Sequence, residues 1–166
     1  SAGALWISQA RTQAGCAAQS VRAEAVWSEE VQEEVRTRML ATGLDFAAAG
    51  FDRLQAEVDR FVVEWGAASE LVCTRHDIEE RWDDETTARA RECLQEAEWA
   101  LAGLVSVLAA AGPTVVTRAA HATGGLPRID RCVRIELLRE RTPRAGHASE
   151  RARSAVLLAG LSRARS

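Results

Sequence analysis

The four cysteines of this chain, whose chemistry depends on how they pair, are Cys16, Cys73, Cys93 and Cys132. Their number is even, and no two of them have the Cys-x-x-Cys spacing that zinc sites and redox motifs use. Two disulfide bonds in an oxidising compartment therefore compete with four buried thiols in a reducing cytosol. Cysteine count and spacing leave both alternatives open.

One histidine stands close to acidic residues at helical spacing. His76, Glu79 and Glu80 would share one face of a helix, and imidazole and carboxylate are possible metal ligands. Known helical-bundle metal sites also recruit ligands from further helices, so a surface charge cluster is the favoured interpretation. A metal-dependent helical hydrolase using these three residues remains a third alternative. The chain has no Gly-x-Ser-x-Gly motif of a hydrolase, and we predict no catalytic residue, cofactor or metal.

The composition excludes several functions. All 21 basic residues are Arg, so the chain can supply no P-loop lysine, no Schiff-base lysine and no ATP-binding lysine of a protein kinase. The net charge of -3 and the isoelectric point near 5.7 argue against nucleic-acid binding. The arginines are dense after residue 128, and we interpret them as a solvated helical face. We find no apolar run of transmembrane length and expect Ser1 to be a cut edge rather than a natural start.

Two long segments with apolar residues at alternating steps of three and four predict an antiparallel helical hairpin between Asp45 and Ala111. The stripe of the first segment comprises Phe51, Leu54, Val58, Phe61, Trp65, Ala68 and Val72. That of the second comprises Ala90, Leu94, Ala97, Leu101, Leu104 and Leu108. No alternating strand pattern occurs, so we predict an all-α fold: a helical bundle built on this hairpin, with short helices and a C-terminal helix.

The segment between the two stripes, Asp77 to Glu85, is nearly all charged and is predicted to turn in solvent. We expect the five tryptophans to lie mostly in the core. Trp82 is the exception, because in this turn its ring either folds back onto the hairpin or meets a partner. Trp82, Arg81 and His76 are therefore the candidate contacts for a ligand or protein partner.

The hairpin also predicts a disulfide pattern. Cys73 and Cys93 each lie about ten residues from the middle of the turn, so antiparallel helices would bring them to the same level. A bond between them should stabilise the fold by roughly 3 kcal/mol. This pairing leaves Cys16 to bond with Cys132.

Helix signals organise the remainder of the chain. The pattern is helical from Cys16 through Met39, with Ser28 as the N-cap of a second helix and Gly43 as the left-handed end. Asp45 is expected to cap the first hairpin helix. Gly112-Pro113 ends the second, a short helix follows from Thr114 to Ala122, and Asp130 precedes another short helical run. Residues 145–166 predict a final helix, which could lead into a following repeat domain, and residues 1–166 are interpreted as a single domain.

Several groups of residues resemble a region of large myxobacterial-type receptor serine/threonine-protein kinases, in order and in spacing. In the first half these are Cys16-Ala17-Ala18, Ala25-Val26-Trp27, Leu40-Ala41-Thr42-Gly43-Leu44, Val63-Glu64-Trp65 and Cys73-Thr74-Arg75. In the second half they are Glu92-Cys93-Leu94, Leu104-Val105-Ser106-Val107-Leu108-Ala109, Val115-Val116-Thr117-Arg118-Ala119 and Leu126-Pro127 followed by Cys132. The resemblance covers nearly the whole chain. It departs at residues 79–85, where the family often has Arg-Gly-Glu-Gln-Ser or a similar turn, so a ligand of that turn would differ here.

In those kinases the region follows a cytoplasmic kinase domain and a predicted membrane span, and it precedes tetratricopeptide repeats. The resemblance implies a non-catalytic extracytoplasmic (periplasmic) sensor or adaptor segment of a membrane-anchored kinase, with an unknown ligand or protein partner. The catalytic domain would lie outside this chain. The alternative is a cytoplasmic helical interaction module with free thiols.

Overall fold

The computed structural model describes residues 2–110, 112–122 and 125–141, with side chains for 10–110, 112–117 and 125–141. The described residues form helices and no strand, which confirms the all-α prediction. In chain order the elements are α1 (Ala2–Gln19), α2 (Arg22–Val26), α3 (Glu29–Leu40), α4 (Ala47–Cys73), a π-helical turn (Thr74–Ile78), α5 (Asp84–Ala109), α6 (Pro113–Ala122), a 3₁₀ turn (Ile129–Cys132) and α7 (Ile135–Glu140). The predicted final helix at 145–166 lies outside the described residues. Within the described part, no helix is long and apolar enough to cross a membrane.

The two predicted apolar stripes form the centre of the core. All seven stripe residues of α4 are buried, and on α5 all are buried except Leu104, which is half-buried. The two helices pack against each other, and α3 packs against both. Trp65 of α4 donates to the backbone of Leu94 of α5, and two residues of the π-helical turn also contact α5: His76 pairs with Asp84 and Asp77 with Arg91.

Side-chain caps explain where two of the helices, α3 and α5, begin. Ser28 caps α3 as predicted, because its side chain accepts a hydrogen bond from the N–H of Val31. Asp83 caps α5 in the same way, accepting from the N–H of Thr86 at 2.7 Å. The expected cap at Asp45 is wrong. Helix α4 begins one residue later, after Phe46, and the carbonyl of Leu44 already accepts the N–H of Ala47.

Gly43 ends the α3 segment as predicted, in the left-handed region with φ of 70°. The segment before it is less continuous than expected, because α1, α2 and α3 are three separate helices. Helix α5 ends at Ala109, slightly before the Gly112-Pro113 stop, and Pro113 is the first residue of α6, a position where its missing N–H costs no hydrogen bond. The helical run expected after Asp130 begins slightly earlier and is divided into the 3₁₀ turn, which starts at Ile129 and includes Asp130, and α7.

Candidate functional site

A half-open cleft of about 490 Å³ lies where α5 meets the 3₁₀ turn and α7. Its walls carry charges of both signs and include one cysteine of a disulfide bond. The lining residues are Glu92, Cys93, Glu96, Pro127, Arg128, Arg131, Leu137, Glu140 and Arg141. The volume is within the range typical of small-molecule sites.

Cys93, one of the lining residues, forms a disulfide bond with Cys132, and the Cα atoms of the two are 5.4 Å apart. Both cysteines are buried. Cys93 lies on α5 and Cys132 ends the 3₁₀ turn, so the bond fastens this turn to the helix. The two walls of the cleft are thereby held at a fixed separation.

Two of the three arginines that line the cleft, Arg128 and Arg141, form ion pairs. Arg141 donates to Glu96 at 2.7 Å, which ties the end of α7 to α5, and each side chain is about one-third exposed. Arg128 donates through Nε and Nη2 to the two carboxylate oxygens of Asp130, and Arg134 reaches the same carboxylate at 3.2 Å. The interpretation of the arginines after residue 128 as a plain solvated face is therefore incomplete, because Arg141 links two elements.

The second disulfide bond joins Cys16 on α1 to Cys73 at the end of α4, again with 5.4 Å between the Cα atoms. Gly66 shows why the two helices can approach so closely. A Cβ atom there would lie 3.0 Å from the carbonyl oxygen of Ser20, so a side chain would push α1 away from α4. The Sγ of Cys73 lies 3.3 Å from a carboxylate oxygen of Asp77.

All four cysteines are thus bonded, but the expected pairing of Cys73 with Cys93 and of Cys16 with Cys132 is wrong. The physical reason is the register of α4 against α5. The indole N–H of Trp65 donates to the carbonyl of Leu94 at 2.7 Å, which places these two residues at the same level. Cys73 is eight residues further along α4, roughly 12 Å beyond that level, out of reach of Cys93. Counting residues from the middle of the charged turn missed this offset.

His76 lies in the turn between α4 and α5, and carboxylates face both its ring nitrogens. Its Nδ1 contacts Asp77, and its Nε2 lies 2.8 Å from Asp84 at the start of α5. The hydrogen bond to Asp77, which has the larger effect, and the hydrogen bond to Asp84 raise the pKa of His76 above its ordinary value. The protonated ring can donate to both carboxylates, so it links the turn to the next helix.

The alternative metal site at His76, Glu79 and Glu80 is not supported by the geometry. Glu79 pairs with Arg75 at 2.7 Å, and Glu80 has a positive φ of 49°, so the three residues do not continue one helical face. Among the residues with described side chains, the one group close enough to hold an ion is Cys16, Cys73 and Asp77, and its two sulfurs are already bonded to each other.

Two alternatives were predicted for the Trp82 ring, and the structure has the first of them, in which the ring folds back onto the helices. Trp82 is buried in the core, so the ring folds back onto the helices and its surface is not available to a partner. Trp27 and Trp65 are buried as expected, whereas Trp99 is 43% exposed on α5. Arg81 remains on the surface, with its guanidinium 3.7 Å from Glu79.

Sequence reasoning missed the charged residues of the cleft, above all Glu92 and Arg131. A signal was present, because each of them directly precedes a cysteine of the same disulfide bond. This signal is informative only when Cys93 is known to bond with Cys132.

Comparison of the chain with protein-family models, with curated proteins and with solved structures finds no match in any of the three.

Proposed function

We propose that this chain is a non-catalytic sensor or adaptor segment that lies outside the cytoplasm and belongs to a membrane-spanning serine/threonine-protein kinase. The observation that carries the extracytoplasmic part is the pair of disulfide bonds, which use all four cysteines. Disulfides persist in oxidising compartments and are rare in the cytosol. The kinase part rests on the resemblance of the cysteine, tryptophan and Leu-Pro landmarks.

The cleft supports binding better than catalysis. Its lining offers arginines and glutamates, and no serine, threonine, histidine or free thiol is among the residues that line it. Arginine and glutamate suit recognition of a charged ligand, since a guanidinium binds a carboxylate through two parallel hydrogen bonds. A sensor segment needs such a binding site, whereas an adaptor needs a surface for a protein partner.

The test is to measure the oxidation state of the four cysteines in cells that make the parent protein. Free thiols are alkylated at the moment of lysis, and bonded cysteines are then reduced and labelled with a heavier reagent. We expect all four cysteines of this segment to carry the second label. Four cysteines with the first label would overturn the extracytoplasmic proposal and favour a cytoplasmic interaction module. The kinase part is tested by reading the gene upstream of Ser1, where we expect an apolar span preceded by a kinase domain.

A further inference from the structure

Two opposite charges are held close to the same disulfide bond without pairing. Glu92 directly precedes Cys93 on α5, and Arg131 directly precedes Cys132 in the 3₁₀ turn, and both side chains line the cleft. Among the described side chains, neither charged group has an ion-pair partner. The disulfide therefore presents one carboxylate and one guanidinium at the cleft, both available to a ligand.

The other charges at the cleft are mostly occupied. Arg141 is bound to Glu96, and Arg128 is bound to Asp130. Glu140 adds a second carboxylate that has no ion-pair partner among the described residues. The available groups are thus one cationic and two anionic side chains.

We propose that this cleft binds a small zwitterion, a free amino acid or a dipeptide. Arg131 takes its carboxylate, and Glu92, assisted by Glu140, takes its ammonium group. The proposal deepens the proposed function, on which it rests, by naming the ligand of a sensor segment. A simple anion would be repelled by the carboxylates of Glu92 and Glu140. A simple cation would leave the guanidinium of Arg131 without a partner. A zwitterion satisfies both signs.

The size of the cleft agrees with this ligand class. Its volume of about 490 Å³ accommodates a dipeptide, and Pro127 and Leu137 offer apolar surface for a side chain. Hydrogen bonds between ionised partners are among the stronger ones, so a terminal carboxylate and a terminal ammonium should each contribute measurably to affinity.

The experiment is a thermal-shift screen of the purified, disulfide-bonded protein against the twenty free amino acids and the alanyl dipeptides. A ligand of the folded state raises the melting temperature in proportion to its occupancy. Each hit is then titrated calorimetrically beside its N-acetyl and C-terminal amide forms. We expect at least one hit, with each blocked form binding about tenfold or more weakly, as loss of one charge-assisted contact requires. No hit at 10 mM, or equal binding of the blocked forms, would overturn the proposal.

Charge variants assign the two contacts. Arg131→Gln should abolish the preference for the free carboxylate over the amide, and Glu92→Gln should abolish the preference for the free amine over the acetylated form. Arg139→Gln and Glu136→Gln are matched controls, since both residues are exposed on α7 and neither lines the cleft. If the controls and the cleft variants lose binding equally, the ligand is bound elsewhere.

Removing each disulfide bond in turn gives a second controlled comparison of ligand binding. Replacing Cys93 and Cys132 by serine frees the wall that carries Arg131, so binding should fall at least tenfold. Replacing Cys16 and Cys73 by serine leaves the cleft intact, and binding should persist as long as circular dichroism shows a folded protein. Retained binding in the first variant would contradict the proposed role of the disulfide. Failure of these binding tests would leave the compartment result standing, and free thiols in the cell would leave the binding result standing.

Discussion

His76 is the residue whose charge should be visible in the stability of the whole protein. Its contacts with Asp77 and Asp84 raise its pKa in the folded state. Its contribution to stability is therefore fully present below the unfolded pKa of about 6.5 and is lost as the pH rises through the folded pKa. Urea unfolding of the wild type and of His76→Gln should give free energies of unfolding whose difference shrinks as the pH rises above about 6.5.

Two carboxylate variants test this assignment. Asp84→Asn removes the charge facing Nε2, so the stabilisation by His76 should be lost at a lower pH. Asp52→Asn removes an exposed charge on α4 and should leave that pH unchanged. A stability difference between wild type and His76→Gln that does not vary with pH would show that the ring acts through packing.

The sequence predicted the local roles of single residues better than the contacts between residues that are distant in the chain. Ser28 and Gly43 were predictable because a cap and a left-handed helix end depend on neighbours within a few positions. Glu92 and Arg131 lie thirty-nine positions apart, and only the bond between Cys93 and Cys132 brings them to one cleft. Local pattern contains no information about such a pair.

Helix α5 offers a direct test of the apolar stripe. Leu101 is fully buried, so Leu101→Ala should lower the free energy of unfolding by roughly 2 to 5 kcal/mol, as expected when a large core side chain is truncated. Val107 lies on the same helix with 54% of its surface exposed, and Val107→Ala should change stability by no more than about 0.5 kcal/mol. Denaturant unfolding of both variants gives the comparison. Equal effects would mean that the buried face of α5 is wrongly assigned.

The N-terminal ends of α4 and α5 predict different losses of stability when Asp45 and Asp83 are replaced. Asp83→Ala removes the side chain that accepts the N–H of Thr86, so it should lower the free energy of unfolding measurably, as loss of an N-cap does. Asp45→Ala should cost much less, because Asp45 makes no cap of α4. The hydrogen bond lowers the pKa of Asp83, so its contribution is present above the unfolded pKa and is lost as the pH falls through the folded pKa. Chemical unfolding near neutral pH and at about pH 3 measures both effects.

The existence of the long helices could be predicted, but their register could not. Apolar periodicity fixes which face of each helix is buried, and the buried residues of α4 and α5 agree with it. How far one helix is displaced along the other depends on the path of the turn, which includes the π-helical segment at Thr74–Ile78. Such a segment is rare and has no clear sequence signal. The resulting offset separates Cys73 from Cys93 and leaves each free to bond elsewhere.

The two disulfide bonds connect different parts of the molecule. The bond between Cys16 and Cys73 spans 57 positions and ties α1 to the end of α4, and that between Cys93 and Cys132 spans 39 positions and ties α5 to the 3₁₀ turn. Each of the two long helices is thus tied to one further element, α4 to α1 and α5 to the 3₁₀ turn. A digest of the unreduced protein should therefore yield these two linked peptides, and a peptide joining Cys73 to Cys93 would contradict this fold.

The similar lengths of the two closed loops predict similar contributions to stability. In the chain-entropy model each bond should add about 4 kcal/mol, because the contribution grows only with the logarithm of loop length. Urea unfolding of the two double-serine variants should show losses of roughly 2 to 5 kcal/mol each, within about 1 kcal/mol of one another. A single domain has a total stability of only about 5 to 15 kcal/mol, so removal of both bonds should leave much of the chain unfolded at 37 °C.

If either variant keeps the stability of the wild type, that bond is dispensable for folding. Its cysteines would then be open to reversible reduction without loss of the structure.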